Sequence, residues 1–171
     1  MYKTTLYIFL LMFPLYSNAQ GVLTPALKDT LSIENVVDRN QISYQIDNDL
    51  PYTGTIVEFH ENGQLKLRKS VIDGKAEGIW IEWYETGIVR YIGEWKEGIG
   101  HGTWMYFHDN GELSERSQVK NDVWEGISES WHKNGVKSSQ GLLAQNERVG
   151  TWRFWNKDGS LKEIINYKKE H

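Results

Sequence analysis

Three of the five histidines, His60, His108 and His132, each stand six residues after a glycine, which at first sight suggests a metal-binding column. If that spacing is a strand repeat, neighbouring members lie two strands apart, roughly 9.5 Å, whereas zinc holds each ligand nitrogen at about 2.0–2.1 Å. They therefore read as polar residues beside turns. Glu58 and Glu82 also share a column, and a carboxylate pair is the pattern of acid–base catalysis. No Ser/His/Asp arrangement accompanies them, and the glycines are spread out rather than clustered into a phosphate-binding loop. With no cysteine in the chain, thiol nucleophiles, zinc ribbons and disulfides are excluded. The expectation is a protein with no catalytic residues, no metal and no cofactor. The remaining chemistry is that of contact surfaces. Trp80, Trp104 and Trp152, with Tyr84 and Tyr106, are the candidate partner-binding residues. A net charge of -4 excludes a general nucleic-acid binder, which would show a basic face.

The elements that position these residues follow from an internal period. Gly54, Gly78, Gly102, Gly126 and Gly150 are spaced by 24 residues without a slip, and Gly63, Gly87, Gly111, Gly135 and Gly159 follow nine residues after each. Phe59, Trp83, Phe107, Trp131 and Trp155 form a third column, five residues after the leading glycines. The pairs Asn62-Gly63, Asn110-Gly111, Asn134-Gly135 and Asp158-Gly159, with Thr86-Gly87, read as hairpin turns. A second turn column falls at Gly74, Gly98, Asp122 and Asn146, residue types that tolerate a left-handed backbone. Two turns per 24 residues leave two strands per unit, so five units predict an all-β, elongated antiparallel meander of about ten strands. No proline follows Pro51, consistent with central strands.

Turn length sets which side chains share a face. A three-residue loop such as Glu61-Asn62-Gly63, a type I turn closed by a glycine bulge, pairs Phe59 with Leu65. Continued alternation then puts the Phe59 column together with Val71, Trp95, Val119, Leu143 and Tyr167 as the core, and turns Trp80, Trp104 and Trp152 to the opposite face. A single-layer sheet cannot bury that second face by itself, so the segment preceding the array, curling of the sheet, or a partner must cover it. Unit four is the poorest, with Ser128 where three units have tryptophan and Lys137 where the others have Leu or Val.

The units Gly78-Ile-Trp-Ile-Glu-Trp-Tyr-Glu-Thr-Gly87 and Gly102-Thr-Trp-Met-Tyr-Phe-His-Asp-Asn-Gly111 resemble the MORN-repeat variant, found in bacterial proteins often labelled YwqK-type antitoxins. The likeness spans about residues 38–169 and includes the lead-in Arg39 to Tyr44 and Pro51-Tyr52-Thr53-Gly54. It implies a β-hairpin array used as a scaffold.

Ahead of the array, one cation (Lys3), the apolar run Leu6 to Leu15 and the ending Ser17-Asn18-Ala19 predict a signal peptide over residues 1–19, cleaved after Ala19. Its apolar run is too short for a transmembrane anchor, and it contains Pro14. Residues 20–50 then form a lead-in and 51–171 the five-repeat array. The Lys162, Lys168 and Lys169 end reads as a guard on the last strand. The sequence thus predicts an exported, periplasmic or extracellular, non-enzymatic scaffold that binds a protein partner through an aromatic-lined face, including immunity to a toxin as a special case. The alternative is a carbohydrate or cell-wall glycan module whose Trp80, Trp104 and Trp152 form a stacking ladder.

Overall fold

The computed structural model describes residues 29–168; the predicted signal peptide lies outside the described residues. The strands are β1 (Thr30–Ser32), β2 (Val36–Arg39), β3 (Ile42–Gln45), β4 (Gly54–Phe59), β5 (Leu65–Ile72), β6 (Lys75–Ala76), β7 (Gly78–Trp83) and β8 (Val89–Lys96). They continue with β9 (Ile99–Phe107), β10 (Leu113–Lys120), β11 (Val123–Trp131), β12 (Lys137–Ala144), β13 (Glu147–Trp155) and β14 (Leu161–Tyr167). From β4 onward, neighbours in sequence are neighbours in the sheet, and every pairing is antiparallel. With β6 and β7 counted as one interrupted strand, the array has the ten strands expected. The lead-in adds β1, which pairs in parallel with β4 (Thr30 opposite Thr55) and covers its edge. Tyr52 Oη ties it down by donating to the Asp29 carbonyl at 2.6 Å. A small β2–β3 hairpin docks on the first unit, Ser43 N–H donating to the Gly74 carbonyl at 2.8 Å.

Both turn types follow from their residues. In the first turn, Gly63 N–H donates to the His60 carbonyl and His60 N–H to the Gln64 carbonyl, closing the three-residue loop with Gly63 at φ 81°. Asn62 Oδ1 accepts from the Gln64 N–H at 3.0 Å, which is why Asn precedes the glycine. The pattern repeats at Asn110, Asn134 and Asp158. The second turn is a two-residue loop with positive φ at both positions, as in Asp73-Gly74, Glu97-Gly98, Asn121-Asp122 and Gln145-Asn146.

The first-turn register places Phe59 opposite Leu65 as expected, and likewise Trp83 opposite Val89 and Phe107 opposite Leu113. One residue later it slips. Glu58 pairs with Leu67, so Phe59 alone faces two residues, a β-bulge repeated in all five units. Because side chains alternate with period two, one extra residue reverses every face beyond it. Val71, Trp95, Val119, Leu143 and Tyr167 therefore do not join the Phe59 column. They lie with Trp80, Trp104 and Trp152, on what we term the packed face. Gly54 pairs with Val71, Gly78 with Trp95 and Gly150 with Tyr167.

This corrects the expected core. Ile56, Leu67, Val71, Tyr91, Val119 and Trp152 of the packed face are buried, whereas Phe59 is 53% exposed and Trp83, Phe107, Trp131 and Trp155 are half-buried on the open face. The leading glycines mark a second irregularity. Around Gly102 the register moves from Ile92–Met105 to Glu94–His101, and Gly102 takes φ 76° to make it.

Candidate functional site

The packed face is organised around indoles lying on glycines. A Cβ on Gly141 would collide with the Trp152 indole, and one on Gly93 with Tyr91 and Trp104. Neither glycine has a positive φ, so space rather than backbone freedom selects the residue. Each indole then donates to the carbonyl one residue further on, Trp152 to Leu142 at 2.9 Å and Trp104 to Glu94 at 3.2 Å. Trp80, Trp95 and Trp104 overlap like shingles, with centroids 5.3 and 5.2 Å apart and tilts of 36° and 32°. Tyr91 and Tyr106 pack beside them at 5.0 Å, and Lys69 Nζ lies 5.3 Å over Trp80. Burial pushes the Tyr91 and Tyr106 phenols above their usual range, Tyr91 most.

The sequence-predicted contact residues thus divide. Trp80, Trp104 and Tyr106 come together, half-buried, in one cluster. Trp152 does not belong to it and is not an open surface: it is 2% exposed, beneath Arg148 at 4.5 Å and beside Phe154 and Tyr167. The tryptophan ladder is therefore not formed. Tyr84 is a structural tie, donating to the Phe107 carbonyl at 2.8 Å.

His60, His108 and His132 make the same tie. Each Nε2 bonds the carbonyl of the next unit's aromatic column, Trp83, Trp131 and Trp155 respectively, at 2.9–3.0 Å. Asn62, Asn110 and Asn134 add a second bond to the next turn. Among the described residues no group of three or more His, Cys, Asp or Glu side chains is placed to hold a metal. Glu58 and Glu82 are each paired with a base, Glu58 with Lys66 at 2.5 Å and Glu82 with Arg90 at 3.0 Å.

Unit four compensates for both departures. Ser128 hydrogen-bonds Ser117 at 2.9 Å, and Trp124 fills the space by packing edge-on against Trp104 at 5.2 Å. On the open face Lys137 stands opposite Trp131, its Nζ 5.7 Å from the ring centroid and 2.6 Å from Glu129. Arg116 binds the other Glu129 oxygen. Burial alone would raise the Glu129 carboxyl, but hydrogen bonds from Lys137 and Arg116 outweigh it and hold the group below its usual range.

The open face carries what sequence reasoning missed. Phe59, Ile72, Ile99, Ile127, Leu142 and Ile164 are each 43–53% exposed there. Ile127 and Leu142 are cross-strand partners, and Ile164 opposes Arg153 two strands on. A face reading with the bulge included would have found them.

Against known proteins, the sequence model of the MORN repeat variant matches residues 52–72, 76–97, 100–121 and 148–169, half of the chain. The chain belongs to the MORN repeat variant family. The matched MORN units are one, two, three and five; the unmatched stretch holds the unit with Ser128 and Lys137. No curated protein matches the chain. Among the described residues no helix is long and apolar enough to cross a membrane.

Proposed function

We propose that this MORN array is an exported, non-enzymatic scaffold that binds a protein partner through the open, aromatic and aliphatic face of its sheet. The observation that carries the reading is the gathering of exposed large apolar side chains on that one face, with Ile127 and Leu142 adjacent at 50% and 48% exposure. Contiguous exposed apolar surface marks interaction sites, and half-exposed aromatics such as Trp131 and Trp155 favour hot spots. Export rests on the leader-like residues 1–19.

The test is a paired substitution, Ile127→Asp with Leu142→Lys, opposite charges on directly facing positions. Both side chains are half in water, so the melting temperature and circular dichroism should stay within a few degrees of the parent, while capture of the partner from a periplasmic extract is lost. Capture undiminished in a folded double variant would sink the proposal.

A further inference from the structure

The packed face holds a second surface, distinct from the open one. Trp80, Trp95, Trp104 and Tyr106, with Glu82 and Arg90, line a depression of about 340 Å³. Glu82 and Arg90 also wall an adjoining depression of about 350 Å³ that runs past Glu58, Lys66 and His60. The two make one groove across the first three units, aromatic at one end and ionic at the other, within the size range of small-molecule sites.

Where the two depressions meet, beside the aromatic end, the charges are already matched, Glu82 by Arg90 at 3.0 Å. A cationic ligand would have to displace a base, and an anionic one a carboxylate, each leaving a charge without its partner. A neutral polyhydroxylated ring needs neither displacement. Its hydroxyls donate to the carboxylates and accept from the guanidinium, and its C–H face rests on indole. From this juxtaposition we infer that the groove is a glycan subsite, in which Trp80 and Trp104 support a sugar ring and the Glu82–Arg90 pair orients its hydroxyls. It differs from a tryptophan ladder in being a single cleft, without Trp152.

Cellohexaose, chitohexaose and maltohexaose titrated into the full chain, followed by calorimetry and tryptophan emission, test it. At least one should bind saturably with a shift of the emission maximum, and Glu82→Gln, an isosteric change, and Arg90→Gln, which shortens a half-exposed rim side chain, should each weaken it about tenfold or more with unchanged circular dichroism. Saturable binding of none of the three, or equal binding in both variants, overturns the inference. So does saturation by tetramethylammonium in the absence of any sugar response, which would assign the aromatic end to cations. Failure here leaves the open-face proposal standing, because the two use opposite faces.

Discussion

At the scale of single residues, glycine serves this chain in two unlike ways, and substitution separates them. Gly63 has φ 81° and nothing within 4 Å of an added Cβ, so Gly63→Ala should cost only the left-handed strain, about 1–2 kcal/mol. Gly141 has ordinary backbone angles but lies under Trp152, so Gly141→Ala should cost about 1–3 kcal/mol through overpacking and shift the tryptophan emission, which Gly63→Ala should not. Urea unfolding monitored by fluorescence distinguishes them. Glu129 gives a third residue-scale expectation. Its folded-state pKa lies below the ordinary glutamate value, so the Arg116–Glu129–Lys137 network stabilises the fold above that ordinary value and the contribution is lost as pH falls through the lowered pKa. Glu129→Gln should therefore lower stability by about 1–2 kcal/mol at pH 7, where its loss leaves two partly exposed bases without an ionic partner. The difference from the parent should shrink as pH falls through the lowered pKa, and a difference undiminished in acid would remove the ionic explanation.

At the scale of elements, units are stapled at both rims. On the first-turn rim His108 and Asn110 bond forward to the Trp131 and Lys133 carbonyls; on the second-turn rim Asp122 N–H bonds back to the Gly100 carbonyl at 3.0 Å. Each staple links neighbours only, as stability in a linear repeat array requires. Loss of one such bond in His108→Ala should cost about 1 kcal/mol, read as faster amide exchange in the β10–β11 hairpin with β4 and β5 unaffected. Uniform acceleration along the array would contradict nearest-neighbour coupling. These staples explain what was legible in the sequence. Turn positions demand particular backbone angles and side-chain acceptors, so Asn62, Gly63, Gly74 and Asp122 announce themselves by type. The bulge does not. Its extra residues, Lys66, Arg90, Ser114, Ser138 and Lys162, are polar residues of no special backbone preference, and nothing in them signals a change of face. The strands and turns could accordingly be read from spacing, while the core and the contact surface were exchanged between faces. The displacement of Trp152 was likewise hidden, because Arg148, which covers it, holds a position occupied by Ala76, Gly100 and Trp124 in other units.

At the scale of the whole molecule, the described sheet has 12 strands in a single layer, spanning on the order of 50 Å at the usual strand spacing. A layer of that kind can complete only one face from its own side chains. Here the packed face uses aromatic overlap and glycine seats, and the other face is left with Ile72, Ile127, Leu142 and Ile164 half in water. A family scaffold with one finished and one unfinished face is suited to holding a second protein against the unfinished one. The most direct measurement places a photo-crosslinking amino acid at Leu142 in one sample and at Tyr106 in another, in cells that make the protein. The account predicts a discrete protein adduct from position 142 and none from 106. An adduct from 106 with none from 142 would contradict it, returning protein contact to the tryptophan face.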